Sequence, residues 1–326
     1  MNLARFSRLI AQCAGVATLA LCAGTASAQG AYPNKPIKFV IGFGAGGSTD
    51  IIARILSRRM TEILGQPIVI ENKPGADSLL ATRLVAQAAP DGYTILVCSG
   101  SHSINPSLYP NIKLDPVADF SPISLIGDAA NFLVVHPSVP AKSVEELIEL
   151  AKKNPGKLNY ASSASTTFLQ TELFKSMAGI DMQAISYKGA GPAVPALLGG
   201  EVQVSISSIV NLLQHVKAGS ARALAVTSAR RSPLAPDIPT VSEKAVPGYV
   251  ASTWYGMLAP ANTPAPIVTL LNETLRKVLD EPAIKTQLLG QGLESLPNSP
   301  AEFAQFIRED RDKWAKVVRD SGAKTN

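Results

Sequence analysis

The residues of this chain best placed to do chemistry are glycines and hydroxyl side chains at strand ends. Val40–Leu56 reads VIGFGAGGSTDIIARIL, with Gly42-x-Gly44-x-x-Gly47 between a strand-like and a helix-like run. Glycines let the main chain approach a ligand, while the unpaired N–H groups and positive dipole end of the next helix face it. The spacing is that of a dinucleotide fingerprint, and Glu71 stands about two dozen positions on, where such sites keep a ribose-binding acid. Against a nucleotide stand Asp50, a carboxylate in the first helical turn, and the Asn-Lys-Pro-Gly turn directly after Glu71. The same backbone device serves any anion, so Phe43, Gly44, Ala45, Gly46, Gly47, Ser48, Thr49 and Asp50 are read as one half of a carboxylate clamp.

Tyr160–Thr167, YASSASTT, offers five small hydroxyls in eight residues without a charge. Ser162, Ser163, Ser165, Thr166 and Thr167 form a neutral cup where a strand feeds a helix, the usual ligand edge of an open α/β sheet. A third polar run, Cys98–Asn105 (CSGSHSIN), contributes Ser99, Ser101 and Asn105 as loop contacts. His102 beside these serines suggests a hydrolase, but no G-x-S-x-G elbow accompanies it. Tyr187, Lys188 and Gly189 follow a further strand, and Lys188 is suited to neutralise an acid. No catalytic residue, cofactor or metal site is assigned. Trp254 and Tyr255 are read as an aromatic pair that packs at the hinge or lines the cleft, with packing the default.

These runs need a frame. Ile37–Ile41, Pro67–Glu71 and Tyr93–Cys98 read as strands, separated by helices over Thr49–Leu64 and Leu79–Ala89, a βαβαβ start. A second set follows: strands Phe132–His136, Leu158–Ala161, Met182–Tyr187, Val202–Ile206 and Ala223–Val226, with helices Val144–Lys153, Thr167–Ala178 and Gly191–Leu198. Ser143 caps the first of these helices, with Glu145 and Glu146 in its first turn. The tail from Ala265 is helical, and Ser299-Pro-Ala-Glu302 is a capping box opening the last helix. Two crossovers, Ser124–Phe132 and Gly248–Pro260, then join two α/β lobes: 29–128 with 250–326, and 129–249. Each is expected to hold a mainly parallel sheet flanked by helices, with the final helix returning to the first lobe.

The ends and composition fit export. Arg5 and Arg8, an apolar run from Leu9 to Ala23 and Ala26-Ser27-Ala28 form a secretory signal over 1–28. Cys22 raises lipidation, but the bulky Leu21 before it favours cleavage after Ala28. Without that leader, 28 Lys and Arg stand against 25 Asp and Glu, a net charge of +3, too small and dispersed for a nucleic-acid footprint. Cys98 is then the single cysteine, read as a small buried hydrophobe. His102, His136 and His215 are scattered. No later run reaches the roughly 20 apolar residues of a membrane span.

The runs YPNKPIKFVIGFGAGGSTD, ENKPGA, APDGYT, INPSLY and DPVADFSPIS, with YKGAGPAVPALLGGEV, LAVTSARRSP, IPTVSE, WYG and PANTPAPIV, resemble the Bug-type proteins. These are periplasmic receptors of the tripartite tricarboxylate transporter group, and the resemblance runs from Tyr32 to the final helix. It implies a monomeric, two-lobed periplasmic binding protein (a type II-like Venus flytrap) that closes on a small organic acid and serves membrane permease subunits. Family ligands include di- and tricarboxylates, acidic amino acids and aromatic acids, gripped by Phe43–Asp50 and the loop after Tyr160 through backbone and water. Two departures affect ligand identity. Asp77-Ser78-Leu79-Leu80 follows ENKPGA where the family continues with glycines. Ser163–Phe168 lacks two glycines and a histidine. A hydrolase using a cleft serine and a receptor signalling to a membrane sensor remain the alternatives.

Overall fold

The computed structural model describes residues 32–109 and 111–322. The expected leader, 1–28, lies outside them. In chain order the elements begin β1 (Ile37–Ile41), α1 (Ser48–Leu64), β2 (Ile68–Asn72), α2 (Leu79–Ala86), β3 (Thr94–Ser99), α3 (Ser101–Leu108) and β4 (Phe120–Ala129). Next come β5 (Asn131–Val135), α4 (Val144–Lys153), β6 (Asn159–Ser162), α5 (Ser165–Ala178), β7 (Gln183–Ser186), α6 (Ala190–Leu198), β8 (Val204–Ser208), α7 (Ile209–Lys217) and β9 (Arg222–Val226). The chain closes through α8 (Val241–Lys244), β10 (Thr253–Pro260), α9 (Ala265–Asp280), α10 (Pro282–Gly290), β11 (Leu293–Ser295) and α11 (Pro300–Ser321).

Two sheets result. The first has six strands in the order β11-β4-β10-β3-β1-β2, and the second has five, β7-β6-β8-β5-β9. Both are mixed rather than mainly parallel. β1 pairs β2 and β3 in parallel, as β6 pairs β7 and β8, because each connection contains a helix. β4 and β10 are antiparallel neighbours, and β10 runs against β3. In the second sheet β5 lies antiparallel to both β8 and β9. The strands on which the chain leaves and re-enters the first sheet therefore run side by side, and their ends at Ala129 and Thr253 pair directly.

The central strands of both sheets are buried, whereas the edge strand β7 is exposed throughout. Val40, Leu96, Leu125, Leu258, Phe303 and Ile307 share a core on the first. Leu133, Tyr160, Phe174, Val204 and Ala225 share one on the second. The buried Cys98 thiol lies in the first core. Helix α11 departs from expectation: Phe303 and Ile307 pack on the first sheet, but Trp314 and Val317 join the core of the second. At about 1.5 Å per residue its 22 residues are long enough to serve both. Another departure is α3, a helix where the polar run Cys98–Asn105 reads as loop. Pro106 and five polar residues make it a poor helix on propensity, and tertiary contacts hold it. Ile104 and Leu108 are buried, and the Ser103 hydroxyl donates to Asp310 of α11 at 2.5 Å.

Candidate functional site

Gly42 ends β1 and packs against Ser78; a Cβ at Gly42 would lie 2.0 Å from Ser78 Oγ and 2.6 Å from its Cα. The first glycine of the run thus permits a close approach between two loops. Beyond it the chain turns at Gly46 (φ 81°), whose N–H donates to Asp50 Oδ2 at 2.9 Å. Arg54 Nε donates to the same oxygen at 2.9 Å, and Asn72 Nδ2 reaches Oδ1 at 3.1 Å. Asn72 also donates to the Phe43 carbonyl at 3.0 Å. Asp50 is buried, and its hydrogen bond from Arg54 holds the carboxyl down at about 2 although burial opposes this. It braces the loop from outside the lining of the cleft.

Past this brace, Gly47 is the N-cap of α1, with extended backbone and no side chain to cap it, so the first N–H groups of the helix stay open to a ligand. They face a cavity of about 420 Å³ between the two sheets. Phe43, Gly47, Ser48 and Thr49 line it from β1–α1, and Ser99 and Ser101 from β3–α3. Ser163, Ala164, Thr166 and Thr167 line it from β6–α5, Gly189 and Ala190 from β7–α6, and Ser207, Ser208 and Asn211 from β8–α7. Five strand-to-helix junctions therefore converge on one space, each presenting a helix N-terminus. Every such end carries about half a positive charge, so the cavity favours an anion without a cationic side chain in its wall.

The strand crossings supply the floor. Asn131 donates to Gln170 Oε1 at 2.9 Å and to Thr253 Oγ1 at 3.3 Å, linking both crossings to α5. The buried Tyr255 hydroxyl meets Ser48. A second, wider space of about 1300 Å³ adjoins, lined by Gly44, Asp77, Tyr109, Ser162, Ser165, Phe168, Tyr187 and Lys188 among others. Asp77 and Ser163 border both. Ala76, Asp77 and Ser78 all take positive φ (45°, 50° and 78°), and Asn105 Nδ2 donates to the Asp77 carbonyl at 2.6 Å. The Ser165 hydroxyl donates to Asp77 Oδ2 across the cleft. Burial pushes the Asp77 carboxyl above its ordinary range, and the Ser165 bond opposes it.

Residues 52–323 match the family described as tripartite tricarboxylate transporter family receptor. The chain belongs to this family. It is 38% identical to protein BugT of Bordetella pertussis over 297 residues, which covers 90% of this chain and 91% of BugT. Among solved structures it is similar to the periplasmic binding protein BugD (34% identity, TM-score 0.76, covering 90% of this chain and 100% of that one). It is likewise similar to R. palustris Rpa4515 with adipate (36% identity, TM-score 0.79, covering 89% and 98%). The two-lobed α/β fold is that of these periplasmic binding proteins.

Within this receptor the structure gathers most of the sequence-derived candidates at the two spaces and leaves four elsewhere. Ala45 is exposed at the loop tip, Gly46 turns the loop, Asp50 braces it, and Asn105 holds the Asp77 turn. Glu71 pairs with Lys73 at 2.8 Å outside both spaces. His102 points away from the serines: its Nε2 bonds the Pro116 carbonyl at 2.8 Å and its ring meets Phe120 edge-on. Lining residues that the sequence did not single out as contacts are Asp77, Asn131, Ser207, Ser208, Asn211, Thr253 and Gln291, and Tyr255 lines the cavity as well as packing. Ser207-Ser208 carried a usable signal, a hydroxyl pair at a strand end feeding a helix. Asn131, Thr253 and Gln291 carried none, because only the tertiary fold brings them to the cleft.

Proposed function

We propose that the protein is an extracytoplasmic receptor that captures a small organic carboxylate between two lobes, 29–128 with 250–326 and 129–249. It acts as a monomer, reaches the periplasm through a cleaved signal over 1–28, and delivers its ligand to the permease subunits of a tripartite tricarboxylate-type transporter. The observation that carries this is the convergence of five helix N-termini on a cavity walled by hydroxyls and amides. The adipate bound to the similar R. palustris protein supports the same ligand class.

Capture needs no chemistry. N–H groups of α1 and α3 hold the anion from one side, those of α5, α6 and α7 from the other, and the ligand favours the state in which both sets meet it. A thermal-shift screen of adipate, malate, citrate, amino acids and benzoates tests the proposal, since a ligand of the folded state raises the melting temperature. Stabilisation by at least one carboxylate is expected. No response across the panel sinks it, as does turnover of candidate esters that disappears on Ser163→Ala.

A further inference from the structure

We infer that Asp77 sets the ligand class within this site: the receptor selects a monocarboxylate whose far end carries an amino or amide N–H group, and discriminates against dicarboxylates. This rests on the proposed carboxylate-receptor function.

Asp77 is the one charged side chain among the described residues lining the 420 Å³ cavity. It borders the wider space as well, so it stands where the two meet. Its carboxylate takes the Ser165 hydroxyl at the N-terminus of α5, an anion position that the ligand would otherwise be offered. The start of α5 thus already holds a carboxylate, and it is the protein's own. On the opposite jaw the N-termini of α1 at Ser48 and α3 at Ser101 stand open to a ligand anion. A ligand anchored there by one carboxylate extends towards Asp77. A second carboxylate at that end meets a like charge in a partly dry site, where repulsion is strong. An ammonium or amide end instead meets an acceptor whose remaining lone pairs are free to take its N–H.

The position of Asp77 is not incidental to the loop. Three successive residues without a glycine among them, Ala76 to Ser78, hold left-handed backbone, a costly arrangement that persists only where its surroundings impose it. Asn105 fixes the turn through the Asp77 carbonyl, and the missing side chain at Gly42 makes room for Ser78. Lys188 is the competing charge. It lines the wider space only, is exposed, and forms no ion pair with Asp77 among the described residues.

Calorimetry on the full mature chain with length-matched triplets tests this: adipate, 6-aminohexanoate and adipamate; succinate, 4-aminobutanoate and succinamate. The wild type is expected to bind the amino or amide member of the better-fitting triplet at least about tenfold more tightly than the diacid. Asp77→Asn is expected to bring the diacid level or ahead, and Ser165→Ala to leave the wild-type order in place. Wild-type preference for a diacid overturns the inference while the carboxylate-receptor function stands. So does an order that shifts on Lys188→Gln but not on Asp77→Asn. Should Asp77→Asn fail to fold, the wild-type order alone decides. Absence of binding by any of these compounds and by the wider acid panel overturns both.

Discussion

Trp254 Nε1 donates to Asp310 Oδ2 at 2.7 Å, tying the strand on which the chain re-enters the first sheet to the final helix. Trp314 Nε1 reaches the other oxygen at 2.9 Å, and the Ser103 hydroxyl also donates to Oδ2. One half-buried carboxylate thus joins β10, α3 and α11 at the point where both sheets share a helix. Asp310→Ala leaves both indole N–H groups without their acceptor, while Ser103 keeps the Gly100 carbonyl at 3.0 Å, and is expected to cost about 2–4 kcal/mol, whereas Trp254→Phe removes one donor and costs about 1–2 kcal/mol. Urea denaturation of both variants checks the order. Equal losses would show that the tryptophan ring, not the hydrogen bond, supplies the stability.

The glycines of the opening loop differ in what they do, and substitution separates them. A Cβ at Gly42 lands 2.0 Å from Ser78 Oγ, while one at Gly44 has no atom within 4 Å. Gly42→Ala is expected to displace the Ala76–Ser78 turn, lower the melting temperature by several degrees and weaken ligand binding at least tenfold. Gly44→Ala is expected to change stability by under about 0.5 kcal/mol. Thermal melts with and without ligand distinguish a folding defect from a binding defect.

Much of the frame was legible because its signals are local. Ser143 caps α4 by accepting from the Glu146 N–H at 3.2 Å, and Ser299 with Glu302 forms the capping box that opens α11. The loops that line the two spaces were legible for the same reason, since glycine and hydroxyl runs sit where strands feed helices. Helix α3 was not, because a Ser-His-Ser-Ile-Asn-Pro run has little helical propensity and is held by Asp310, more than 200 positions away. Asp77 was legible only as a departure from the family pattern, not as a cleft residue: its partner Ser165 is 88 residues on, and nothing near either in sequence links the two. The direction of β4, β5 and β10 is a topological outcome that strand-length runs do not encode.

Acid should loosen the opening loop through Asp50. Its carboxyl lies at about 2 in the folded protein against 3.8 ordinarily, chiefly through the Arg54 hydrogen bond. The native state therefore binds fewer protons than the unfolded chain, and the stabilisation present above pH 4 is lost as pH falls towards 2. The full contribution is about 2 kcal/mol. Asp50→Asn, which keeps the shape but exchanges acceptors for donors, is expected to remove this part of the acid sensitivity and to lower stability at pH 7. Denaturation midpoints between pH 2 and 5 for both proteins give the comparison.

His102 should contribute a second loss at milder pH. The Pro116 carbonyl only accepts, so Nε2 carries the proton, and Nδ1 is buried without a partner among the described residues. Protonating Nδ1 would place an unpaired N–H and a charge in the core, and burial accordingly depresses the group to about 4, although Asp115 nearby favours the charged form. A base depressed in the folded state is protonated first in the unfolded chain. Stability is therefore retained above pH 6.5 and falls as pH drops through that value towards 4, by up to about 3 kcal/mol. His102→Gln retains a donor for Pro116 but cannot titrate. It is expected to flatten the stability profile between pH 4 and 6.5 while the wild type declines, and parallel profiles for the two proteins would assign the decline to other groups.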